Sequence, residues 1–269
     1  MRELLYILLA YALAACLSPM SVDETASIGT TSSGYLRRSV ELPSDGGPAG
    51  NYRLLRPNDP TNFGTPGLVS LVRHIADELA REHPGGAPLI VGDLSPRHGG
   101  RHPRHLSHRT GRDVDLFFPM EDDRGASYGG APGVFLDRFG RLREDRPRAA
   151  LDLPRAWTIV RAALSAPEAE VQWLFIENGL KARLLRYALA AEPDPELILR
   201  ASWLIRQPTG ALPHDDHFHI RIFCSPRERA LGCIDRAPIW PWVDEKREVE
   251  LMPTMNDGAL LSLMESERD

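Results

Sequence analysis

Several features common in other protein classes are scarce in this sequence. It contains no run of about 18 or more apolar residues, which excludes a conventional membrane-spanning helix. Its three cysteines are too few for a small disulfide-dense scaffold. Lysine occurs only at Lys181 and Lys246, and the 32 basic side chains are outnumbered by 37 acidic ones. The net charge of −5 argues against a nucleic-acid-binding protein that relies on bulk positive charge.

The remaining composition is that of a soluble globular domain, with 42% hydrophobic and 26% charged residues among 269. Helical and strand patterns are interspersed along the chain, so we expect one α+β domain with a small central antiparallel sheet flanked by helices and long loops. The charged segment 244–269 is predicted to be a peripheral tail, with one helical turn at 260–264. The predicted helices are 65–79, 154–164, 180–189 and 195–205, the strands are 88–91, 114–118, 171–176 and 218–223, and the long loops are 119–150 and 206–216.

The N-terminal residues have the pattern of an export signal. Residues 4–15 form a twelve-residue apolar stretch, which is the length of a signal-peptide core and too short to cross a bilayer. The stretch ends in Leu-Ala-Ala followed by Cys16, which resembles the lipobox of bacterial lipoproteins. The resemblance implies that residues 1–15 are removed and that Cys16 carries a lipid, with 16–26 as a tether. Because no Asp follows Cys16, we expect a periplasmic protein anchored to the outer membrane; an ordinary signal peptide with a chance cysteine is the alternative.

Seven of the nine histidines lie in two short stretches, four of them in 98–108 and three in 214–219. Aspartates lie in or directly after both stretches. Neutral imidazoles clustered beside carboxylates are typical of a transition-metal site. The two stretches are therefore the candidate site of this chain.

Spacing limits which of these side chains can converge. In a strand, residues two apart share a face, so His217 and His219 point to one side, as do Asp113 and Asp115. A glycine three residues after His108 allows the chain to turn and bring His108 towards Asp115. Two imidazoles and one carboxylate, with a fourth position open to water, form the pattern of a catalytic zinc site. Taken singly, each pattern has a simpler interpretation, as exposed strand histidines or as aspartates of a turn; their joint occurrence favours a metal.

These residues lie in two blocks that resemble the signatures of penicillin-insensitive murein endopeptidases, in the group of lysostaphin-type, D-Ala-D-Ala metallopeptidase and hedgehog-like domains. The first block is Ser107-His108-x-x-Gly111-x-Asp113-Val114-Asp115, and the second is His214-Asp215-x-His217-Phe218-His219. Weaker similarity at 27–29 and 62–68 extends the resemblance over roughly 27–240. It implies a zinc peptidase domain at 27–243.

The resemblance also implies a role for each histidine of the blocks. His108, Asp115 and His219 would be the ligands of one Zn²⁺ per chain. His217 would be the catalytic imidazole that faces the attacking water, and His214 an additional active-site histidine. One departure is Arg109, where relatives often have Gln, which bears on substrate contacts and not on the metal.

Other residues near the blocks have expected supporting roles. Asp113, Asp215 and Asp216 are candidates to orient imidazoles as hydrogen-bond acceptors. Arg221 lies on the histidine face by alternation, where it either receives a carboxylate of the substrate or is a solvated strand arginine. His102 and His105 of the first stretch are interpreted as loop residues rather than ligands.

Nucleophilic catalysis by serine or cysteine is not supported. A Ser-x-x-Lys motif would need serine at position 178 or 243, which are Asn178 and Val243. With Cys16 assigned to the lipid, Cys224 and Cys233 are left to pair with each other in an oxidising compartment. The chain therefore offers no serine for β-lactams to acylate.

The expected substrate is the stem peptide of peptidoglycan, cut at the D-Ala to meso-diaminopimelate cross-link. Two alternatives remain open from the sequence. One is a D,D-carboxypeptidase or dipeptidase of the same metal class, which differs only in its products. The other is a non-catalytic, lipid-anchored wall-binding protein with a structural metal. The sequence predicts membrane attachment through Cys16 and no nucleic-acid partner, and it leaves the oligomeric state undetermined.

Overall fold

The computed structural model describes residues 25–143 and 149–243. The predicted signal peptide, Cys16, all but the end of the predicted tether and the predicted tail at 244–269 lie outside the described residues. In chain order the strands are β1 (Ala26–Thr30), β2 (Ser33–Arg37), β3 (Val40–Glu41), β4 (Tyr52–Leu54), β5 (Phe63–Gly64), β6 (Leu89–Val91), β7 (Asp113–Phe117), β8 (Pro119–Asp122), β9 (Ser127–Gly129), β10 (Ala149–Leu151), β11 (Val171–Phe175), β12 (Ile205–Arg206) and β13 (His217–Ile222). The helices are α1 (Pro66–Glu82), α2 (Leu153–Ser165), α3 (Asn178–Ala191), α4 (Pro195–Leu204) and α5 (Pro226–Ala230).

The largest sheet has six strands in the order β12-β11-β13-β7-β6-β4. Its four central strands pair antiparallel, whereas β12 and β4 pair parallel with their neighbours. The α+β prediction is confirmed, but the sheet is mixed and not wholly antiparallel. The reason is connectivity: α1 lies between β4 and β6, and α3 and α4 lie between β11 and β12, so both edge strands are reached by helical crossovers.

The four predicted helices α1 to α4 are present, with ends that differ from the prediction by at most three residues. The side chains of Thr65, Asp152 and Asp194 accept hydrogen bonds from the first turns of α1, α2 and α4, and each of these turns contains a proline. Their apolar sides join the central sheet in one hydrophobic core. Among the described helices, none combines the length and hydrophobicity needed to cross a membrane.

The pair β7–β13 gives the central sheet two chemically different faces. Alternate residues of the two strands are buried in the hydrophobic core, namely Val114, Leu116, Phe218, Ile220 and Ile222. The residues between them are ionisable or aromatic and point to the opposite face. One face of the sheet therefore stabilises the fold, and the other presents the candidate site.

The prediction of a long loop at 119–150 is wrong for part of that segment, which forms strands. The described residues there include a three-stranded sheet in the order β10-β8-β9, in which β8 pairs antiparallel with both neighbours. These strands have three or four residues each, and strands this short show too few alternations for a period of two to be detected. The pairing with β8 therefore determines their conformation more than local sequence does.

Candidate metal centre

The pairing of β7 with β13 brings the two sequence blocks together. In this antiparallel register His219 lies opposite Asp115, and Arg221 lies opposite Asp113. Residues directly opposite each other in such a pair have Cβ atoms about 5 Å apart, so their side chains meet on one face. The carboxylates of the first block and the imidazoles of the second therefore converge, although more than a hundred residues separate them in the chain.

A tight turn between His108 and the start of β7 brings the side chain of His108 towards Asp115. The φ of His108 is 59°, in the left-handed region, and Gly111 follows with a φ of 75°. A Cβ atom on Gly111 would lie 2.7 Å from a methyl carbon of Leu36 and 2.9 Å from the backbone nitrogen of Thr65, so only glycine fits. The Nδ1 of His108 lies 3.0 Å from the carbonyl oxygen of Leu94, to which its N–H donates, and this leaves Nε2 to face Asp115.

Three imidazole nitrogens surround one carboxylate oxygen, Oδ1 of Asp115. The distances to this oxygen are 3.3 Å from Nε2 of His108, 3.5 Å from Nε2 of His217 and 3.6 Å from Nδ1 of His219. Ligand atoms about 2.0 to 2.1 Å from a tetrahedral zinc are about 3.4 Å apart, which these distances approach. Asp115 Oδ1 and His108 Nε2 are fully buried, and neither has a hydrogen-bond partner among the described residues. Because buried polar atoms are normally paired, these two atoms fit a metal ligand role.

Asp113 connects the centre to the residues behind it. Its Oδ1 accepts hydrogen bonds from Nε2 of His219 at 2.8 Å and from Nε of Arg221 at 2.6 Å, and its Oδ2 accepts one from the backbone N–H of His108 at 3.3 Å. Burial alone would raise the pKa of the Asp113 carboxyl, but Arg221 and His219 outweigh it and hold that pKa well below its usual range. The hydrogen bond to Nε2 also orients His219 so that Nδ1 faces Asp115.

The electrostatics of the centre favour an ionised Asp115 and the neutral forms of His219 and His214. Burial and the neighbouring His108 lower the pKa of His219 to about 3. Burial raises the pKa of Asp115, but His108 and His217 outweigh it and keep that pKa well below its usual value. Burial and His217 lower the pKa of His214 to about 4. Neutral imidazoles and an ionised carboxylate are the forms that bind a metal ion.

The ring nitrogen of His217 that points away from Asp115 has a different partner from those of His108 and His219. Nδ1 of His217 is hydrogen-bonded to Oδ1 of Asp216, its neighbour in the chain. Burial lowers the pKa of His217, but Asp115 and Asp216 outweigh it, and the net effect raises that pKa. His214 lies next to this ring, with centroids 5.0 Å apart. Asp115 likewise outweighs burial at His108 and raises its pKa, so His108 and His217 both favour binding a proton. His217 differs from His108 in its hydrogen bond to Asp216.

Asp215 is placed differently from the expected supporting role. Among the described residues its carboxylate forms no hydrogen bond with an imidazole: its Oδ2 pairs with Arg143 at 2.7 Å, and its carbonyl oxygen accepts from the backbone N–H of Leu136. Asp215 therefore connects the segment before β13 to the chain around Leu136 and Arg143. The disulfide between Cys224 and Cys233 is present just after β13, with the two Cα atoms 6.0 Å apart, which confirms that predicted pair.

The histidines interpreted as loop residues also approach the centre. Nε2 of His105 lies 3.3 Å from Oδ2 of Asp115 and 2.9 Å from Oδ2 of Asp93. Asp93, His102 and His105 bring potential ligand atoms within 4.8 Å of one another, as do His105, His108 and Asp115. The sequence analysis missed Asp93. The available signal was an aspartate placed two residues after a buried strand, with histidines in the segment that follows.

Comparisons with known proteins identify the family of this chain. The family model described as penicillin-insensitive murein endopeptidase matches residues 27–242. Proteins of that name from Klebsiella pneumoniae subsp. pneumoniae and Escherichia coli O1:K1 / APEC are each 28% identical, over 215 and 211 residues. The matches cover 79% and 78% of this chain and 70% of each relative. Because the family model covers most of the chain, this protein, a peptidase, belongs to the penicillin-insensitive murein endopeptidase family.

Proposed function

We propose that this protein is a zinc-dependent endopeptidase that hydrolyses the D-Ala to meso-diaminopimelate cross-link of peptidoglycan and is not inhibited by penicillin. The observation that carries the proposal is the convergence of two imidazoles on Oδ1 of Asp115, a buried atom with no hydrogen-bond partner in the described part of the chain. The family match and the names of the relatives supply the substrate class.

In this proposal Nε2 of His108, Oδ1 of Asp115 and Nδ1 of His219 would hold the metal. Imidazole and carboxylate donors suit zinc, and three protein ligands with one open position is the catalytic arrangement. Zinc bound there would polarise the scissile carbonyl and lower the pKa of the attacking water to near 7. In each histidine the ring nitrogen that does not face the metal site forms a hydrogen bond that fixes the ring: Nδ1 of His108 bonds to Leu94, and Nε2 of His219 bonds to Asp113.

His217 is the proposed general base. Its Nε2 faces Asp115, and its Nδ1 is held by Asp216, so the ring is oriented and its positive form is stabilised. Nε2 accepts a proton from the water that attacks the peptide carbonyl. The same atom then donates that proton to the departing amine, so the imidazole returns to its starting state at the end of each turnover. A neighbouring carboxylate that raises the pKa of His217 makes both proton transfers possible near neutral pH.

The proposed location follows from the substrate and from the N-terminal sequence. Peptidoglycan lies outside the cytoplasm, and a lipid on Cys16 would hold the enzyme at the membrane that faces it. The disulfide between Cys224 and Cys233 supports an oxidising compartment. We therefore propose a periplasmic enzyme anchored to the outer membrane.

Digestion of purified murein tests the reaction. Mass analysis of the muropeptides should show that cross-linked dimers decrease and monomers increase, with the chain ends of the monomers identifying the bond that was cut. Release of only a terminal D-Ala would instead identify a carboxypeptidase, and unchanged dimers would contradict the proposal. The His108→Ala variant is the matched control, because any contaminating hydrolase would persist in it.

A further inference from the structure

A cavity of about 170 Å³ lies beside the metal centre and is lined by three arginines. They are Arg112, directly before β7, Arg221, within β13, and Arg236, in the segment after the disulfide. Gln172 and Trp173 of β11 form another part of the wall. The described residues that line the cavity include no Asp or Glu. The cavity therefore has the composition of an anion-binding site.

The register of the sheet places this cavity at a defined distance from the metal centre. Arg221 of β13 lies opposite Asp113 of β7 and Trp173 of β11. His219 lies two residues earlier on the same face of β13, and two residues of a strand span about 6.7 Å. The cavity is therefore about one amino-acid residue of substrate away from the proposed metal ligand.

Two of the arginines have donors that the protein does not use. Arg221 donates from Nε to Asp113, and its two terminal nitrogens form no hydrogen bond within the described part of the chain. Arg236 forms no ion pair with any residue in 25–143 or 149–243. Arg112, by contrast, is 1% exposed and is bonded to Ser27, Asp235 and two backbone carbonyl oxygens. Ligand binding would therefore use Arg221 and Arg236, whereas Arg112 lines the cavity with its donors already bonded within the protein.

The segment that carries Arg236 is held in place by both sides of the cavity. Nε2 of Gln172 donates to the carbonyl oxygen of Arg236 at 2.6 Å, and Nη2 of Arg112 donates to the carbonyl oxygen of Ile234 at 3.1 Å. The disulfide at Cys233 immediately precedes the segment. A fixed backbone lowers the entropy that Arg236 loses on binding. The protein therefore holds Arg236 at the cavity before any ligand binds.

The charges around the cavity match a ligand with one negative charge. Three guanidinium groups line the cavity, and two of them are neutralised by carboxylates, Arg221 by Asp113 and Arg112 by Asp235. The third guanidinium, that of Arg236, has no acidic partner among the described residues. A single carboxylate matches both this charge and the paired donors of a guanidinium.

We propose that this cavity binds the free carboxylate of the substrate residue that supplies the amine side of the scissile bond. The inference rests on the proposed endopeptidase function. In a cross-link to diaminopimelate, the amide nitrogen and a free carboxylate are attached to the same carbon. That carboxylate lies roughly 4 to 5 Å from the reacting carbonyl carbon, so the side chains of Arg221 and Arg236 bridge the remaining distance. The enzyme thereby selects cross-links that keep this carboxylate.

Binding measurements on the full-length chain test the proposal. The probes are two synthetic cross-linked peptide dimers that differ only in this carboxylate, which is free in one and amidated in the other. The His217→Ala variant prevents turnover during calorimetric titration. We expect the free acid to bind at least about tenfold more tightly than the amide. Adding Arg236→Gln should reduce the difference to less than about threefold, whereas adding Arg236→Lys should retain most of it. Arg101→Gln, which removes an exposed charge outside this cavity, is the matched control and should retain the full difference.

The outcomes separate this inference from the proposed function. Equal affinity for acid and amide, no binding of either, or a preference that survives Arg236→Gln overturns the carboxylate site. Cleavage of both dimers by the wild-type enzyme at equal kcat/KM, together with equal affinity, would leave the endopeptidase function intact. Failure of the wild-type enzyme to cleave either dimer, with the affinity difference present, would instead overturn the endopeptidase function and leave the binding site standing.

Discussion

Asp113 and His219, on adjacent strands, share a hydrogen bond of 2.8 Å between Oδ1 and Nε2, and Asp113 is completely buried. The same oxygen accepts from Arg221, so this buried carboxylate connects the proposed metal ligand to the arginine of the neighbouring cavity. Such acceptors orient an imidazole and increase its basicity towards a metal. We therefore infer that Asp113 positions His219 in the proposed metal centre.

The first prediction follows from this contact. Asp113→Asn keeps the shape of the side chain but removes its charge, so zinc affinity should fall by about 10- to 100-fold. Competition with a chromophoric chelator measures the dissociation constant. Asp123→Asn, at an exposed acidic residue, is the control and should bind zinc as the wild type does. Wild-type affinity in both variants would show that Asp113 does not tune the site.

The second prediction separates the ligands from the general base. His108→Ala, Asp115→Ala and His219→Ala should each lose most of the bound zinc, because a three-ligand site depends on every ligand. His217→Ala should keep near-stoichiometric zinc while turnover falls by roughly 10²- to 10⁴-fold. Metal analysis alongside turnover distinguishes the classes. Loss of zinc in His217→Ala with retention in His219→Ala would exchange the two roles. The distances alone do not assign these roles, because Nε2 of His217 and Nδ1 of His219 lie at similar distances from Asp115.

The third prediction concerns inhibitors. Cleavage of cross-linked dimers should continue in the presence of penicillin, since neither Asn178 nor Val243 offers the serine of a Ser-x-x-Lys motif. Cleavage should stop with a zinc chelator and return when zinc is restored. Monomer release in each condition is the measurement. Inhibition by penicillin, or full activity after exhaustive chelation, would contradict the proposed mechanism.

The fourth prediction concerns stability. The bridge between Cys224 and Cys233 closes a short loop directly after β13, and its removal should lower the free energy of unfolding by about 2 to 3 kcal/mol at most. Denaturant unfolding of the Cys224→Ser, Cys233→Ser double variant measures the effect. Under reducing conditions the wild type and the variant should unfold at nearly the same denaturant concentration. Equal stability of the two proteins under oxidising conditions would show that the bridge does not stabilise the strand.

The fifth prediction concerns the N-terminal segment, which lies outside the described residues. Cys16→Ala should move the mature protein from the detergent-extracted membrane fraction to the soluble periplasmic fraction, because the lipid would be its only stable attachment. Cell fractionation and immunoblotting measure the distribution. A variant that still requires detergent for extraction would contradict a lipid anchor at Cys16.

Local sequence determined a large part of this protein. The alternation of β13 decides by itself that His217 and His219 share a face opposite Phe218, since successive strand residues point to opposite sides. Likewise, the capping residue Thr65 and the spacing of apolar residues predict α1 without reference to the rest of the chain. These features depend on dihedral preferences and on periodicity within a single element, and both are encoded by neighbouring residues.

Only the tertiary structure decided which distant groups meet. The pairing of β7 with β13 sets Asp113 against His219 and Arg221, and no local pattern encodes a register between strands about a hundred residues apart. Packing also brings Asp93 to His105 and closes the arginine-lined cavity with the segment that carries Arg236. These contacts depend on how the whole core packs, because burying the apolar face of the sheet is what fixes the relative position of its strands and, with it, the geometry of the opposite face.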